Sequence, residues 1–298
     1  MAYWQEYVQP RTVDDALTAL REAGGEARLV AGGTDLLLDL QQGRHTPLQR
    51  LVDVTRIEEM GRIRLDGEWA EIGAAVPIRE IVDHPVLAAR ASCLTQACAL
   101  IGGPQVRNVA TLGGNVAHAL PAGDGTIALL ALDAQAEIAS AGGRRWLPVE
   151  GLFSGPGQTT FDRSAELLVR FRVRLAGVGE ASAFERIMRP QGVAIAILNL
   201  ACWVQVDREG KVTGIRLGLG PAGPRPFRGR QTEAGLLGQR LDPEAMGFAA
   251  RSLLHEATLR ASAHRASLEY REHLVGVLVG RTVLPAYQAA LRARGDTP

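Results

Sequence analysis

The sequence is poor in the residue types that mark several common functional classes. It holds three cysteines in 298 residues, Cys93, Cys98 and Cys202. Three thiols cannot complete a set of disulfides, and they fall short of the four thiolates an ordinary iron–sulfur cluster needs. Cys93 and Cys98 stand in an apolar, helix-like stretch, the usual setting of a buried free cysteine. Such usage suits a reducing compartment, and a cytoplasmic location is expected. Neither sign of charge dominates, with 33 Lys and Arg against 32 Asp and Glu. That balance gives no reason to expect nucleic acid or an anionic membrane as a partner. The longest apolar run, 193–206, contains Asn199 and Cys202. It is shorter than the roughly 20 residues of a membrane span, and no span is expected. The opening MAYWQEYVQP lacks the basic and apolar regions of a signal peptide. Missing too is the phosphate loop G-x-x-x-x-G-K-[ST], and no G-x-G-x-x-G leads from a strand into a helix as the dinucleotide fingerprint does. No Ser–His–Asp, Cys–His or metal-ligand cluster stands out, so neither a catalytic side chain nor a metal site is expected.

What is present is enough chain for two domains, each with its own core. Hydrophobic residues make up 46% and charged residues 22%, as in an ordinary globular protein. Thr12 with Asp15 resembles a capping box opening a helix that Gly24-Gly25 stops. A short strand at 28–30 then runs into Ala31-Gly32-Gly33, followed by a helix at 36–40. Strands are expected at 51–54 and 71–75, and helices at 78–83 and 86–100. The second helix ends at Ile101-Gly102-Gly103-Pro104. A helix at 126–132 and strands at 135–139, 145–149 and 167–173 complete the first half. The second half reads as three strands, 183–189, 194–206 and 212–220, in a meander. Helices follow at 242–256 and 268–293, with Pro285 interrupting the latter. Strands first and helices afterwards indicate an α+β domain, and the loop-like 176–179 is the natural boundary.

Two glycine-rich segments carry the chemistry. Without a Cβ, glycine lets backbone N–H groups approach a pyrophosphate and adopt positive φ. Consecutive N–H groups then form an anion-binding nest, helped by the positive end of a following helix. Ala31-Gly32-Gly33-Thr34-Asp35 has this character between a strand and a helix. Thr34 adds a hydroxyl, and Asp35 either caps the helix or accepts from a ligand hydroxyl. Thr111-Leu112-Gly113-Gly114-Asn115 is a second segment of the same type, and Asp124 beyond it is an acceptor for sugar hydroxyls. A Gly-Gly pair alone is more often only a turn. Two such nests in one domain suit a diphosphate held from both sides, without identifying its owner.

The stretches Leu29 to Leu37 and Gly103 to Ala117, with Pro121 to Asp124 and Ala128 to Ala134, resemble the two FAD loops of a known family. The family is the FAD-binding medium subunit of the molybdenum hydroxylases, which includes xanthine dehydrogenase and carbon monoxide dehydrogenase. Its flavin fold is that of vanillyl-alcohol oxidase and p-cresol methylhydroxylase. The similarity extends through Phe184-Glu185-Arg186-Ile187 to Asn199 and covers nearly the whole chain.

The resemblance implies that Val30, Ala31, Gly32, Gly33, Thr34, Asp35 and Leu36 wrap the diphosphate together with Ala110, Thr111, Gly113, Gly114 and Asn115. Gly123 and Asp124 would hold adenosine or ribityl hydroxyls. Ile101, Gly102 and Val106 would lie against the flavin, His118 near the phosphates or ribityl chain, and Leu168 on adenine or isoalloxazine. For His118 a structural role is the simpler expectation, and Arg107 is as apt for a structural salt bridge as for a phosphate. Trp4, Trp69, Trp146 and Trp203 read as core or interface. Between Met188 and Ile195, Gly192 and Val193 stand where relatives commonly carry an acidic residue followed by an aromatic one.

The fold the resemblance implies is α+β, with a two-lobed FAD domain of the p-cresol methylhydroxylase type at 1–176, split near 57. A three-stranded antiparallel sheet with a helical bundle at 177–298 would follow. The implied partners are a small [2Fe–2S] subunit and a large molybdopterin subunit, in a dimer of heterotrimers. Electrons would leave through FAD to NAD+, a quinone or another acceptor. A stand-alone flavin oxidoreductase would instead show acid and base groups over the flavin. A flavin-free scaffold subunit would be colourless.

Overall fold

A computed structural model describes residues 2–44, 46–190 and 195–295. The chain opens with strand β1 (Trp4–Val8), helix α1 (Val13–Glu22), strand β2 (Ala27–Val30), helix α2 (Leu36–Gln41) and strand β3 (Leu48–Asp53). Thr12 caps α1 by accepting from the Asp15 N–H at 3.1 Å. Gly24 and Gly25 turn the chain back at φ +55° and +94°, a region open to residues without a Cβ. The strands form a small sheet in the order β1-β3-β2, parallel throughout. A parallel sheet needs crossovers, and α1 and α2 supply them.

Next come β4 (Ile63–Asp66) and β5 (Trp69–Gly73), then helices α3 (Ile78–Asp83), α4 (Pro85–Arg90), α5 (Ser92–Ala99), α6 (Pro104–Arg107), α7 (Leu112–Ala117) and α8 (Asp124–Ala131). Strands β6 (Gln135–Ser140), β7 (Gly143–Pro148), β8 (Phe153–Gly155), β9 (Gln158–Thr159) and β10 (Leu167–Arg174) follow. Five of these strands build an antiparallel sheet in the order β4-β5-β10-β6-β7. β10, entering from far along the chain, is its centre and the most apolar of the five.

The remainder comprises β11 (Glu180–Ile187), β12 (Leu198–Val206), β13 (Val212–Gly220), β14 (Phe227–Arg228), α9 (Arg230–Leu236), α10 (Pro243–Glu256) and α11 (Leu268–Ala293). The expected three-stranded meander is a four-stranded antiparallel sheet, β11-β12-β13-β14. The extra strand is two residues long, too short for an alternating pattern to announce it. β12 is buried on both faces, because α5 and α8 pack on one side and α11 on the other. Its run Leu198–Val206 is accordingly almost continuously apolar instead of alternating.

Two further expectations are corrected. The helix expected over 86–100 is broken at Ala91, where φ −144° and ψ 44° leave the helical region. The first turn of α5 is tied to β11 instead: Ser92 Oγ donates to the Ser182 carbonyl, and Cys93 N–H donates to Ser182 Oγ at 3.1 Å. Pro285 does not interrupt α11, which runs unbroken past it. Leu274, Val275, Leu278, Val279, Val283 and Ala286 bury one face of that helix in the C-terminal core, outweighing one lost hydrogen bond. By length and composition α11 is long and apolar enough to cross a membrane, and half of its most apolar stretch is buried inside the protein.

Candidate functional site

One large cavity, of about 1270 Å³, lies between the small parallel sheet, the helices α6 to α8 and the centre of the five-stranded sheet. Drug-sized ligands occupy roughly 300–1,000 Å³, so this volume suits an extended ligand such as a dinucleotide. Its first wall begins where β2 ends. The chain leaves the sheet at Val30, turns through Gly33 at φ +68° and enters α2 at Leu36. Ligands of parallel sheets gather at this carboxyl end of the strands.

The backbone N–H groups of Gly32, Gly33, Thr34, Asp35 and Leu36 meet no protein acceptor among the described residues. Five consecutive open donors at the positive end of a helix form a nest for an anion. Asp35 occupies the position before α2 but makes no capping hydrogen bond, so its carboxylate stays available. Gly32 is required by proximity: a Cβ there would lie 2.1 Å from the Val109 carbonyl oxygen. The first loop thus rests directly on the backbone that leads into the second.

The second glycine segment is a helix start. Thr111 caps α7, and its hydroxyl accepts from Gly114 N–H at 3.0 Å. Gly113 N–H donates to the Ala74 carbonyl, also at 3.0 Å. These amides are therefore engaged inside the protein, and the glycines contribute absent side chains. A Cβ at Gly113 would meet the Ala74 carbonyl oxygen at 2.4 Å, whereas at Gly114 it would meet only Thr111 Oγ1, at 3.2 Å. Gly113 serves the packing, and Gly114 keeps the cavity wall open. Asn115 Oδ1 is buried without a partner among the described residues and occupies the space beside Gly125, where a Cβ would lie 2.9 Å from it.

Asp124 opens α8 and is buried with both carboxylate oxygens engaged. Oδ2 accepts from Arg186 of β11, and Oδ1 accepts from Asn199 of β12 at 2.6 Å. Burial pushes its pKa up, opposed by the Arg186 charge and the Asn199 hydrogen bond. Asp124 thereby pins the floor of the cavity to the C-terminal sheet.

Every residue named from the resemblance, from Val30 through Leu36, Ile101, Gly102, Val106, Ala110, Thr111, Gly113, Gly114, Asn115, His118, Gly123, Asp124 and Leu168, lies on the wall of this cavity. Gly192 and Val193 fall outside the described residues. Arg107 forms no salt bridge among the described residues. It donates to the carbonyls of Ile101 and Gly102, at 3.3 and 2.8 Å, and braces the turn at Gly102. Trp203 is buried in the core, but Trp146 is 38% exposed and belongs to no core.

Sequence reasoning missed the far wall: Arg28, Ser154, Gln158, Thr159, Phe161, Arg163 and Arg186. Arg163 donates to the carbonyls of Ala117 and Gly157, and burial together with the charge of Arg28 lowers its pKa. Two cations share one end of the cavity, a charge arrangement that attracts a diphosphate. Arg163 stands far from both glycine motifs, and Arg28, three residues before the first, reads in the sequence only as part of a strand.

Comparisons with known proteins place the chain in a family. Residues 3–174 match the FAD binding domain in molybdopterin dehydrogenase, and residues 182–286 match the CO dehydrogenase flavoprotein C-terminal domain. The carbon monoxide dehydrogenase medium chain of Hydrogenophaga pseudoflava is 31% identical over 283 residues, covering 95% of this chain and 96% of that one. The xanthine dehydrogenase FAD-binding subunit of Escherichia coli O157:H7 is 31% identical over 289 residues, with 95% and 96% covered. A crystal structure of the Hydrogenophaga pseudoflava enzyme, in a form lacking the Mo-pyranopterin moiety, superposes with a TM-score of 0.89 at 32% identity. That match covers 96% of this chain and 97% of the other.

The chain is a flavoprotein of the oxidoreductases that work with a molybdenum cofactor. It belongs to the family of FAD-binding medium subunits of the molybdenum hydroxylases, whose members are parts of multi-subunit dehydrogenases.

Proposed function

We propose that this chain is the electron-outlet subunit of a three-subunit molybdenum hydroxylase. Its partners would be a small [2Fe–2S] subunit and a large molybdopterin subunit, assembled as a dimer of heterotrimers in the cytoplasm. FAD, when bound, supplies the exchange between single electrons arriving from the iron–sulfur clusters and electron pairs leaving to NAD+, a quinone or another acceptor. The chain's own residues bind and orient the cofactor and limit water around it.

The observation that carries this reading is the row of open amides from Gly32 to Leu36 on the wall of a cavity of about 1270 Å³. In the proposed arrangement those amides hold the diphosphate, with Arg28 and Arg163 adding positive charge. Thr111 presents its hydroxyl hydrogen, since its oxygen already accepts from Gly114. Asn115 lines the same wall beside them. Gly123 and Asp124 border the adenosine or ribityl hydroxyls. Ile101, Gly102 and Val106 pack against the ring system, with Leu168 on adenine or isoalloxazine. The p-cresol methylhydroxylase-type FAD domain would end at 176, with a C-terminal domain at 177–298.

The three cysteines are buried and unpaired, which accords with a reducing cytoplasm. No acid–base pair is needed in this chain, because the substrate would react in the large subunit. The test is anaerobic reduction of the assembled complex. Substrate should bleach the flavin absorbance, and the physiological acceptor should restore it. Undiminished acceptor reduction by a complex stripped of FAD would overturn the outlet role.

A further inference from the structure

The hairpin of β8 and β9 stands apart from the larger sheets. Among the described residues its two strands pair only with each other. Phe153 and Phe161, 1% and 4% exposed, sink its base into the core, while Pro156 at its tip is exposed. Ser154, Gln158 and Thr159 of this hairpin line the cofactor cavity, as do Ala117 and Leu120 where the chain passes from α7 to α8. A lone two-stranded hairpin is marginally stable, so whatever holds its tip decides where it sits.

Three hydrogen bonds tie the tip to the end of α7. Gly157 N–H donates to the Ala119 carbonyl at 2.9 Å. Arg163 supplies the other two, from Nη1 to the Ala117 carbonyl at 3.0 Å and from Nη2 to the Gly157 carbonyl at 2.8 Å. Both anchors are fixed. Arg163 leaves a turn in which Asp162 Oδ1 accepts from Ser164 N–H at 2.8 Å and from Ser164 Oγ at 2.6 Å. Ala119 is held at φ +55°, in the left-handed region that a residue with a Cβ seldom enters. Backbone strain of this kind persists where surrounding contacts enforce it.

Arg163 thus spends its fork on two backbone carbonyls, one from each of two segments of the cavity wall. We propose that Arg163 is a positioning residue that latches the β8–β9 hairpin across the cofactor cavity, so that bound FAD leaves only when the latch opens. The inference rests on the FAD reading of the cavity. FAD enters while the hairpin tip is free, and the guanidinium closes it afterwards. The residue therefore governs retention of the cofactor and not its capture. Phe153 and Phe161 stay buried at the base and serve as the hinge.

The test is the rate of FAD release from the full-length loaded chain, followed by flavin fluorescence after dilution into an excess of another apoflavoprotein. Arg163→Lys keeps the charge but offers one nitrogen, one bond shorter, in place of the two that reach separate carbonyls. Release should quicken roughly tenfold with the association rate unchanged. In the unloaded chain, hydrogen exchange at the Gly157 amide should quicken too, while the five-stranded sheet and the thermal midpoint stay at wild-type values. Arg163→Met, which has no donor, should behave alike and serves should the lysine variant fail to fold. Release at the wild-type rate in either variant would overturn the latch, and slowed association would then leave Arg163 a role through charge alone. Faster release with a lowered midpoint and exchange quickened throughout would mark a merely structural residue, and the latch would fall as well. A wild-type chain that takes up no FAD would instead overturn the flavin reading beneath it.

Discussion

At Gly32 the backbone of one cofactor loop approaches the backbone of the next, so that a single methyl group would fall 2.1 Å from the Val109 carbonyl oxygen. Gly32→Ala must therefore push the loops apart and misplace the open amides of Gly33 to Leu36. FAD affinity should fall by at least roughly tenfold, the loss of about 1.4 kcal/mol, read by titrating the apoprotein with FAD. Full affinity in this variant would show that the loop contact does not position the nest. The cysteines show the opposite case, residues whose chemistry is silenced. Burial pushes the Cys93 thiol up to about 12 and raises Cys98 and Cys202 as well. A thiol reagent at about pH 8 should modify none of the three in the folded protein and all three in denaturant. Rapid labelling of the native chain would contradict their placement in the core.

Much of the residue-level detail could not be read from the sequence. Asp35 stands where a helix cap was one expectation, yet it makes no capping bond, while Thr111 does cap and still faces the cavity. Arg107 braces a turn through two carbonyls. Such assignments depend on which backbone groups lie nearby in space. Arg28 and Arg163 were invisible for the same reason, since only the closed fold brings them to one end of the cavity.

Among the elements, those with a local pattern were legible and those made by tertiary contacts were not. The cap at Thr12, the glycine stop and strand β13 are written in adjacent residues. The break at Ala91 is not, because it follows from Ser182, which lies on another strand. Pro285 announced a break that packing overrides. β4 and β14 went unread because each is short and completes an existing sheet edge.

An ion-pair network ties the segment around Glu59 to the five-stranded sheet. Glu59 accepts from Arg144 through two bonds of 2.7 Å and from Arg170 at 3.3 Å, and Glu137 also accepts from Arg170, at 2.6 Å. The hydrogen bonds from Arg144 hold the Glu59 carboxyl below its ordinary 4.5, burial opposing. A depressed acid stabilises the fold above its unfolded pKa and ceases to do so as pH falls through the folded value. Arg144→Gln should therefore lower the urea midpoint at about pH 7, and the gap from wild type should narrow below about pH 4. A gap unchanged by acid would mean that this pair adds nothing to stability.

For the whole molecule, the cofactor cavity and the C-terminal sheet are joined by one buried constellation, Asp124 with Arg186 and Asn199. The mixed helix-and-sheet character was legible because both periodicities occur along the chain, and the cofactor class was legible because two long motifs occur in order. How the parts share a core was hidden. α5 and α8 of the first part cover the inner face of the sheet of the second, and periodicity alone cannot name a partner.

The account rests on FAD held where the two glycine segments meet. The most direct test is flavin content, from the absorption spectrum and acid release, of the wild-type chain and of Gly114→Asp. Gly114 faces the cavity with only Thr111 Oγ1 near its missing side chain, so the variant should fold with unchanged circular dichroism. Wild type should carry FAD and the folded variant should be colourless, repelled by the new carboxylate. A folded Gly114→Asp chain with undiminished FAD would contradict the account.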